Sequence, residues 1–197
     1  MAKNGNSVNI ESSGERYHHG DLRAALIEEG LKRLKDGPAD ELSLREIARN
    51  VGVSATAVYR HFPDKAALLS ALAEAGGERM ASAFSKAMAA EKSGKDAFDA
   101  MGRAYVKFAL ANPSLFRLMT ASKAWREKGG GADGSRGMGM LVDALQGLSG
   151  GSLSRQKANI QRLQAWSIVH GLAMLMLDGQ VPPDDKIIEQ VLASKIV

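Results

Sequence analysis

Apolar residues recur along this chain at the spacing of helices, and nowhere with the alternation of strands. In the stretch LRAALIEEGLKRLKDG, Leu22, Leu26, Ile27, Leu31 and Leu34 share one broad face, and Gly37-Pro38 stops the run. Leu44, Ile47, Ala48 and Val51 then repeat at i, i+3, i+4 and i+7. Ser43, three residues before Glu46, predicts a capping box at the start of this second helix. Gly52 offers the positive φ that a sharp helix end needs, and Ser54 can cap a third helix, Ala55 to Phe62, two residues later. So short a connection forces the two helices to cross steeply.

After Pro63-Asp64 the pattern predicts a long fourth helix whose larger apolar residues are Leu68, Leu69, Leu72, Met80 and Phe84. Gly76-Gly77 inside it costs about 2 kcal/mol against two alanines, which predicts a bend or hinge there. Phe98, Met101, Tyr105 and Phe108 mark a fifth helix. Asn112-Pro113 supplies a cap and a first-position proline for a sixth. Gly129 to Gly137 reads as a flexible loop, followed by a shorter helix around Met140 to Leu148. From Ser152 to Leu177 runs the longest helical pattern, with Ile160, Leu163, Trp166, His170, Met174 and Leu177 on one side and Ile168, Leu172 and Leu175 on another. A helix apolar on several sides belongs at the centre. Pro182-Pro183 and Asp184-Asp185 precede a last helix holding Ile187, Ile188, Val191 and Leu192. The expected fold class is all-α, a three-helix helix-turn-helix head on a larger helical body. The expected division is a flexible tail over 1–16, a head over 17–66 and a body over 67–197.

Composition removes several kinds of chemistry. The 197 residues include no Cys, so disulfides, thiolate metal sites and cysteine nucleophiles are excluded. No apolar run approaches the roughly 20 residues of a membrane span, and the polar start lacks the apolar core of a signal peptide, so a cytoplasmic protein is expected. His18-His19 are adjacent and cannot form an i, i+4 metal pair. The Gly-rich loop lacks the Gly-Lys-Ser/Thr ending of a phosphate loop. Nothing assembles a nucleophile, base and orienting group. No metal, cofactor or catalytic residue is expected, and the chain does not read as an enzyme.

The net charge of +4 invites a nucleic-acid partner, but its distribution weakens that argument, because residues 1–66 hold ten Lys/Arg and ten Asp/Glu. Local placement carries more. Between Ser43 and Lys65, Arg45, Arg49, Arg60 and Lys65 outnumber Glu46 and Asp64, with His61 beside them. On the third helix Val58 and Phe62, four apart, should face the core, leaving Ala55, Thr56, Ala57, Tyr59, Arg60 and His61 outside. Small residues at its start let the backbone approach base edges. Thr56 can hydrogen-bond or touch a thymine methyl, and Arg60 can reach a guanine or only a phosphate. Tyr59 and His61 offer polar groups at the helix end. Lys65 and the caps Ser43 and Ser54 stand where backbone N–H groups also favour phosphate.

These residues carry a resemblance. The segment from Tyr17 to Leu72 resembles the DNA-binding domain of the tetracycline-repressor-like (TetR) family, whose signature appears as Gly52-Val53-Ser54, Tyr59-Arg60-His61-Phe62, Lys65 and Leu68-Leu69. The resemblance implies phosphate contacts at Tyr59, His61 and Lys65, base reading at Thr56 and Ala57, and a helical dimer. Trp166-Ser167-Ile168-Val169-His170-Gly171-Leu172 is similar to the Trp/His/Gly element of one TetR C-terminal class. Tyr17-His18-His19-Gly20-Asp21-Leu22 and Asn112-Pro113-Ser114-Leu115-Phe116 are similar to other stretches of those proteins. The family body binds a small molecule and pairs two subunits, usually through its last two helices, and here the final helix is short. A pocket is expected from Phe98, Met101, Tyr105, Phe116, Met119, Trp125, Trp166, His170 and Met174, suiting an uncharged, apolar effector. The expected function is a repressor that binds a palindromic double-stranded DNA operator as a homodimer and is released by an unidentified effector. The alternatives are an architectural DNA binder without an effector, or a helical small-molecule-binding or enzymatic module that does not bind DNA.

Overall fold

The computed structural model describes residues 21–122, 135–151 and 154–194. Among these the chain forms nine α-helices and one 3-10 turn, with no strand. They are α1 (Leu22–Asp36), the 3-10 turn (Ala39–Glu41), α2 (Leu44–Val51), α3 (Ala55–His61), α4 (Lys65–Ala89), α5 (Gly94–Ala111), α6 (Pro113–Ala121), α7 (Arg136–Leu148), α8 (Arg155–Leu177) and α9 (Asp185–Ala193).

Local signals place most helix ends. Asp21 accepts from the Ala24 N–H at 3.0 Å, Asp64 from Ala67 at 2.7 Å, and Ser93 from Asp96 at 3.0 Å. Pro113 occupies the first position of α6. Asp184 caps α9 through the Lys186 N–H, while Asp185 pairs with Lys107 of α5 at 2.8 Å.

Three expectations are corrected. The capping box at α2 does not form, because the Ser43 side chain makes no cap bond and Glu46 pairs instead with Arg33 of α1 and, at 3.7 Å, with Arg49. A carboxylate beside a guanidinium makes a stronger, charge-assisted bond than one reaching back to a backbone N–H. The loop expected over 129–137 ends earlier within the described residues, because Ser135 accepts from the Met138 N–H at 3.2 Å and starts α7 at Arg136. Finally, α4 runs through Gly76-Gly77 as one helix. An ideal Cβ at Gly76 would stand 2.7 Å from Met119 Sδ and 2.9 Å from Leu115 Cδ1, so this glycine allows α6 to approach α4 closely.

One apolar core runs through the molecule. In the head it gathers Leu26, Leu31 and Leu34 of α1, Ile47 of α2, and Val58 and Phe62 around Leu68 and Leu72 of α4. Farther along, around Met80 and Phe84, α4 meets α5, α6 and α7. α4 therefore belongs to both halves. Its first turn stands beside α3, and its later turns wall the body.

Candidate nucleic-acid interface and interior cavity

The α2–α3 turn is built as its residues dictate. Gly52 adopts φ 78°, in the left-handed region, and Ser54 Oγ accepts from the Ala57 N–H at 3.2 Å. Val58 and Phe62 are fully buried, and the Arg23 guanidinium lies 5.4 Å from the centre of the Phe62 ring. With that side anchored, Thr56, Tyr59, Arg60 and His61 face solvent, and Tyr59 is 46% exposed. Ala55 and Ala57 are half-buried at the start of the same helix.

Neighbouring groups shape the charge of this face. Glu46, the only carboxylate on α2, is held by Arg33 and Arg49, so the turn does not present a bare negative charge. Ser43 and Ser54 are exposed at the starts of α2 and α3. The Lys65 ammonium donates to the Asp40 carbonyl of the 3-10 turn, which holds it at the entrance to α4 and leaves further N–H donors for a phosphate. Exposed tyrosine, arginine and histidine side chains on a rigid helix with small residues at its start suit insertion into a major groove.

A second feature lies inside the body. α4 to α9 line a partly open cavity of about 120 Å³ with mostly apolar walls. Of the residues expected to line a pocket, Phe98, Met101, Tyr105, Phe116, Met119 and Trp166 do so. His170 stands behind Tyr105, and Met174 is half-buried against the core away from this space. Trp125 lies outside the described residues. Met80 and Phe84 of α4, Met138 and Leu141 of α7, and Val191 and Leu192 of α9 also line it.

A polar cluster of Trp166, Tyr105 and His170 reaches the cavity wall. Trp166 Nε1–H donates to Tyr105 Oη at 3.3 Å, and Tyr105 Oη lies 2.9 Å from His170 Nδ1. Phe116 meets the Tyr105 ring edge-on at a centroid distance of 5.6 Å. Burial pushes the Tyr105 phenol up to about 12, with the Trp166 hydrogen bond opposing that change. Burial also lowers the His170 pKa. Both groups are thus held neutral near pH 7.

Comparison with known proteins decides the family. Residues 26–72 match the model for bacterial regulatory proteins of the tetR family, and residues 98–195 match the tetracyclin repressor-like C-terminal domain. The chain belongs to the TetR family. A nucleoid occlusion factor, SlmA, from Idiomarina loihiensis is 30% identical over 98 residues, covering 50% of each chain. This chain therefore spans about half the length of the curated relatives it matches. A protein of unknown function from Rhodococcus sp. RHA1 is 32% identical, with a TM-score of 0.72 over 91% of this chain and 93% of that one. A tetR-family transcriptional regulator from Streptomyces coelicolor shares the fold at 20% identity, with a TM-score of 0.68 over 86% of this chain and 78% of that one.

TetR-family proteins are DNA-binding transcriptional regulators, and the α2–α3 turn is this chain's helix-turn-helix. Trp166 and His170 of the Trp/His/Gly element meet the same Tyr105 hydroxyl. Sequence reasoning missed the cavity residues of α4, α7 and α9. Their signal was an ordinary apolar stripe, which marks an inward face but not whether that face meets atoms or a void. No helix among the described residues is long and apolar enough to cross a membrane.

Proposed function

We propose that the protein is a transcriptional repressor that binds a two-fold symmetric operator as a homodimer and is released when a small apolar molecule fills the body cavity. The observation that carries the reading is α3 itself. Val58 and Phe62 lock one side into the core, while Thr56, Tyr59, Arg60 and His61 project from the other. Thr56 and Ala57 are the proposed base readers, with Arg60 beside them. Ser43, Ser54, Tyr59, His61 and Lys65 are the proposed phosphate contacts, and Ala55 allows the backbone to approach the groove.

The pairing surface is proposed on α8 with α9 beside it. Ile160, Leu163 and Leu175 are 53%, 45% and 41% exposed, and Gly171 has nothing within 4 Å of an added Cβ. With Ser167 they form a stripe along one side of α8, as a helix that packs against a second copy requires. Two heads held at fixed separation would then match half-sites about one helical turn, or a multiple, apart.

Release requires the filled cavity to disfavour that separation. Moving an equilibrium from 99:1 to 1:99 takes about ten-thousand-fold tighter binding to the released form. Met119 supports such a link, because it lines the cavity and also lies against Gly76 of α4.

Footprinting on DNA flanking the protein's own gene, repeated with candidate apolar effectors, tests the reading. A protected two-fold site that is lost on effector addition is the expected result. Tyr59→Phe and Lys65→Ala should weaken binding to all sequences alike, while substitutions at Thr56 or Arg60 should change sequence preference. Unchanged affinity and preference in all four variants would remove the proposed contact surface. Equal affinity for scrambled duplexes, falling steeply with salt, would instead indicate a non-specific DNA binder.

A further inference from the structure

The cavity wall says more about its occupant than that it is apolar. Thr120, Ser194, Asp99 and Tyr105 of the wall direct no proton into the space, while Ser135 accepts from the Met138 N–H at 3.2 Å. Thr120 Oγ1 lies 3.1 Å from the Phe116 and Arg117 carbonyls of its own helix, and Ser194 Oγ donates to the Val191 carbonyl at 2.9 Å. Asp99 offers only acceptor oxygens, one of them bonded to Lys95 at 2.6 Å. Tyr105 follows the same rule. An indole N–H can only donate, so the Trp166 bond requires Tyr105 Oη to accept. A neutral His170 with Nδ1 unprotonated then takes the phenol proton at 2.9 Å, giving the chain Trp166 to Tyr105 to His170. The opposite tautomer would leave the phenol proton without a partner in an apolar space, which is costly. In this arrangement Tyr105 Oη keeps one unused lone pair.

We infer that the effector is a small, uncharged, largely apolar molecule carrying one hydroxyl or N–H group, which it donates to the open lone pair of Tyr105. This rests on the cavity being the effector site proposed above, and it adds the polarity of the ligand. The size of the space suits a small body for the molecule. A dry cavity of 150 Å³ takes up benzene, so about 120 Å³ suits a single ring or a short branched chain. A carbonyl, ether or carboxylate group would find no donor at Tyr105, Thr120, Ser194 or Asp99, and a carboxylate would also lose its hydration.

The experiment uses phenol, toluene and acetophenone as probes, titrated into the full-length protein by calorimetry. Phenol and toluene differ by a hydroxyl against a methyl of similar size, and acetophenone accepts but cannot donate. Phenol is expected to bind about three- to tenfold more tightly than toluene, with acetophenone weaker than phenol. Tyr105→Phe should reverse the order of phenol and toluene, while retained toluene binding shows that the cavity persists. His170→Phe removes the acceptor for the phenol proton. In that variant Tyr105 can donate into the cavity, so acetophenone should gain on phenol.

Toluene binding as tightly as phenol in the unaltered protein would overturn the inference, as would an unchanged phenol preference in Tyr105→Phe. Uptake of none of the three would overturn it too. Gel-shift measurements with the same probes separate this from the regulatory reading. Operator release by phenol and toluene alike would sink the donor requirement and leave ligand response standing. Phenol-selective binding without any change in DNA affinity would do the reverse.

Discussion

Replacing Gly76 by Ala tests how α4, α6 and the cavity are joined. The new methyl would stand 2.7 Å from Met119 Sδ, 2.9 Å from Leu115 Cδ1 and 3.1 Å from Met119 Cγ. Relaxed contacts between such atoms lie near 3.5–4.0 Å, so Met119 must retreat by about 1 Å. Met119 is almost fully buried, and the open space beside it is the cavity it already lines. Two energies oppose each other. Alanine gains about 1 kcal/mol over glycine inside a helix, and overpacking costs about 1–3 kcal/mol. The expected net effect is a loss of no more than about 2 kcal/mol, a fall in Tm of up to about 4–8 °C. Gly139→Ala is the control, because an added Cβ on that exposed glycine of α7 meets nothing within 4 Å and retains only the helix gain. Thermal unfolding of the two variants side by side isolates the contact as a difference of about 1–3 kcal/mol. Shortening the neighbour in Gly76→Ala/Met119→Val should restore part of the loss, a coupling of about 0.5–3 kcal/mol. If Gly76→Ala stabilised the protein as much as Gly139→Ala, the close approach of α6 to α4 would be wrong, and with it the proposed link between cavity and head.

Three further outcomes follow from the geometry. Leu163→Glu on the exposed stripe of α8 should convert a dimer to monomers in sedimentation and weaken operator binding, without lowering monomer stability by more than about 0.5 kcal/mol. Ser54→Ala removes the cap of α3 and should cost about 1 kcal/mol in denaturant unfolding, together with DNA affinity. Stability should depend on pH at both ends of the range. The buried Tyr105 contributes stability that is present below its ordinary value near 10 and lost as pH rises toward about 12, a change of about 3 kcal/mol that Tyr105→Phe should abolish. His170, whose pKa burial lowers, contributes stability that is present above its ordinary value of 6.5 and lost as pH falls through its folded value. His170→Asn should flatten that acid limb.

The helix-turn-helix was legible because each part of it is settled within a few residues. Gly52 turns, Ser54 caps, and Val58 with Phe62 fix which side of α3 is hidden, whatever the rest of the chain does. Glu46 was misread for the complementary reason. Its local partner, the Ser43 backbone, competes with Arg33 thirteen residues away, and spacing alone cannot rank a near neighbour against a distant cation. Gly76 posed the same difficulty, since a glycine inside a helix reads equally as a bend or as room for a neighbour, and only the position of α6 decides. Tyr105, Trp166 and His170 each fell in the expected pocket group, yet the bonds among them join residues more than 60 positions apart. No periodicity encodes such a pairing.

In the proposed function, α4 is the element that would join these separate features. Lys65 in its first turn stands beside the DNA-facing α3, and Phe84, nineteen residues on, walls the cavity, a separation of about 28 Å along a continuous helix. A tilt of about 5° at the cavity end would therefore carry Lys65 through about 2–3 Å by the geometry of a rigid rod. The head must follow, because an ideal Cβ at Gly30 of α1 would stand 2.8 Å from Leu72 Cδ2, too close for α1 to slide independently of α4. Displacements of that size in each of two heads, in opposite senses about a two-fold axis, change the spacing of their recognition helices by about 4–6 Å. DNA presents successive major grooves about 34 Å apart, so the paired heads could no longer seat both α3 helices at once. Under the proposed function, a tilt of that size is what would couple the cavity beside Met119 to α3.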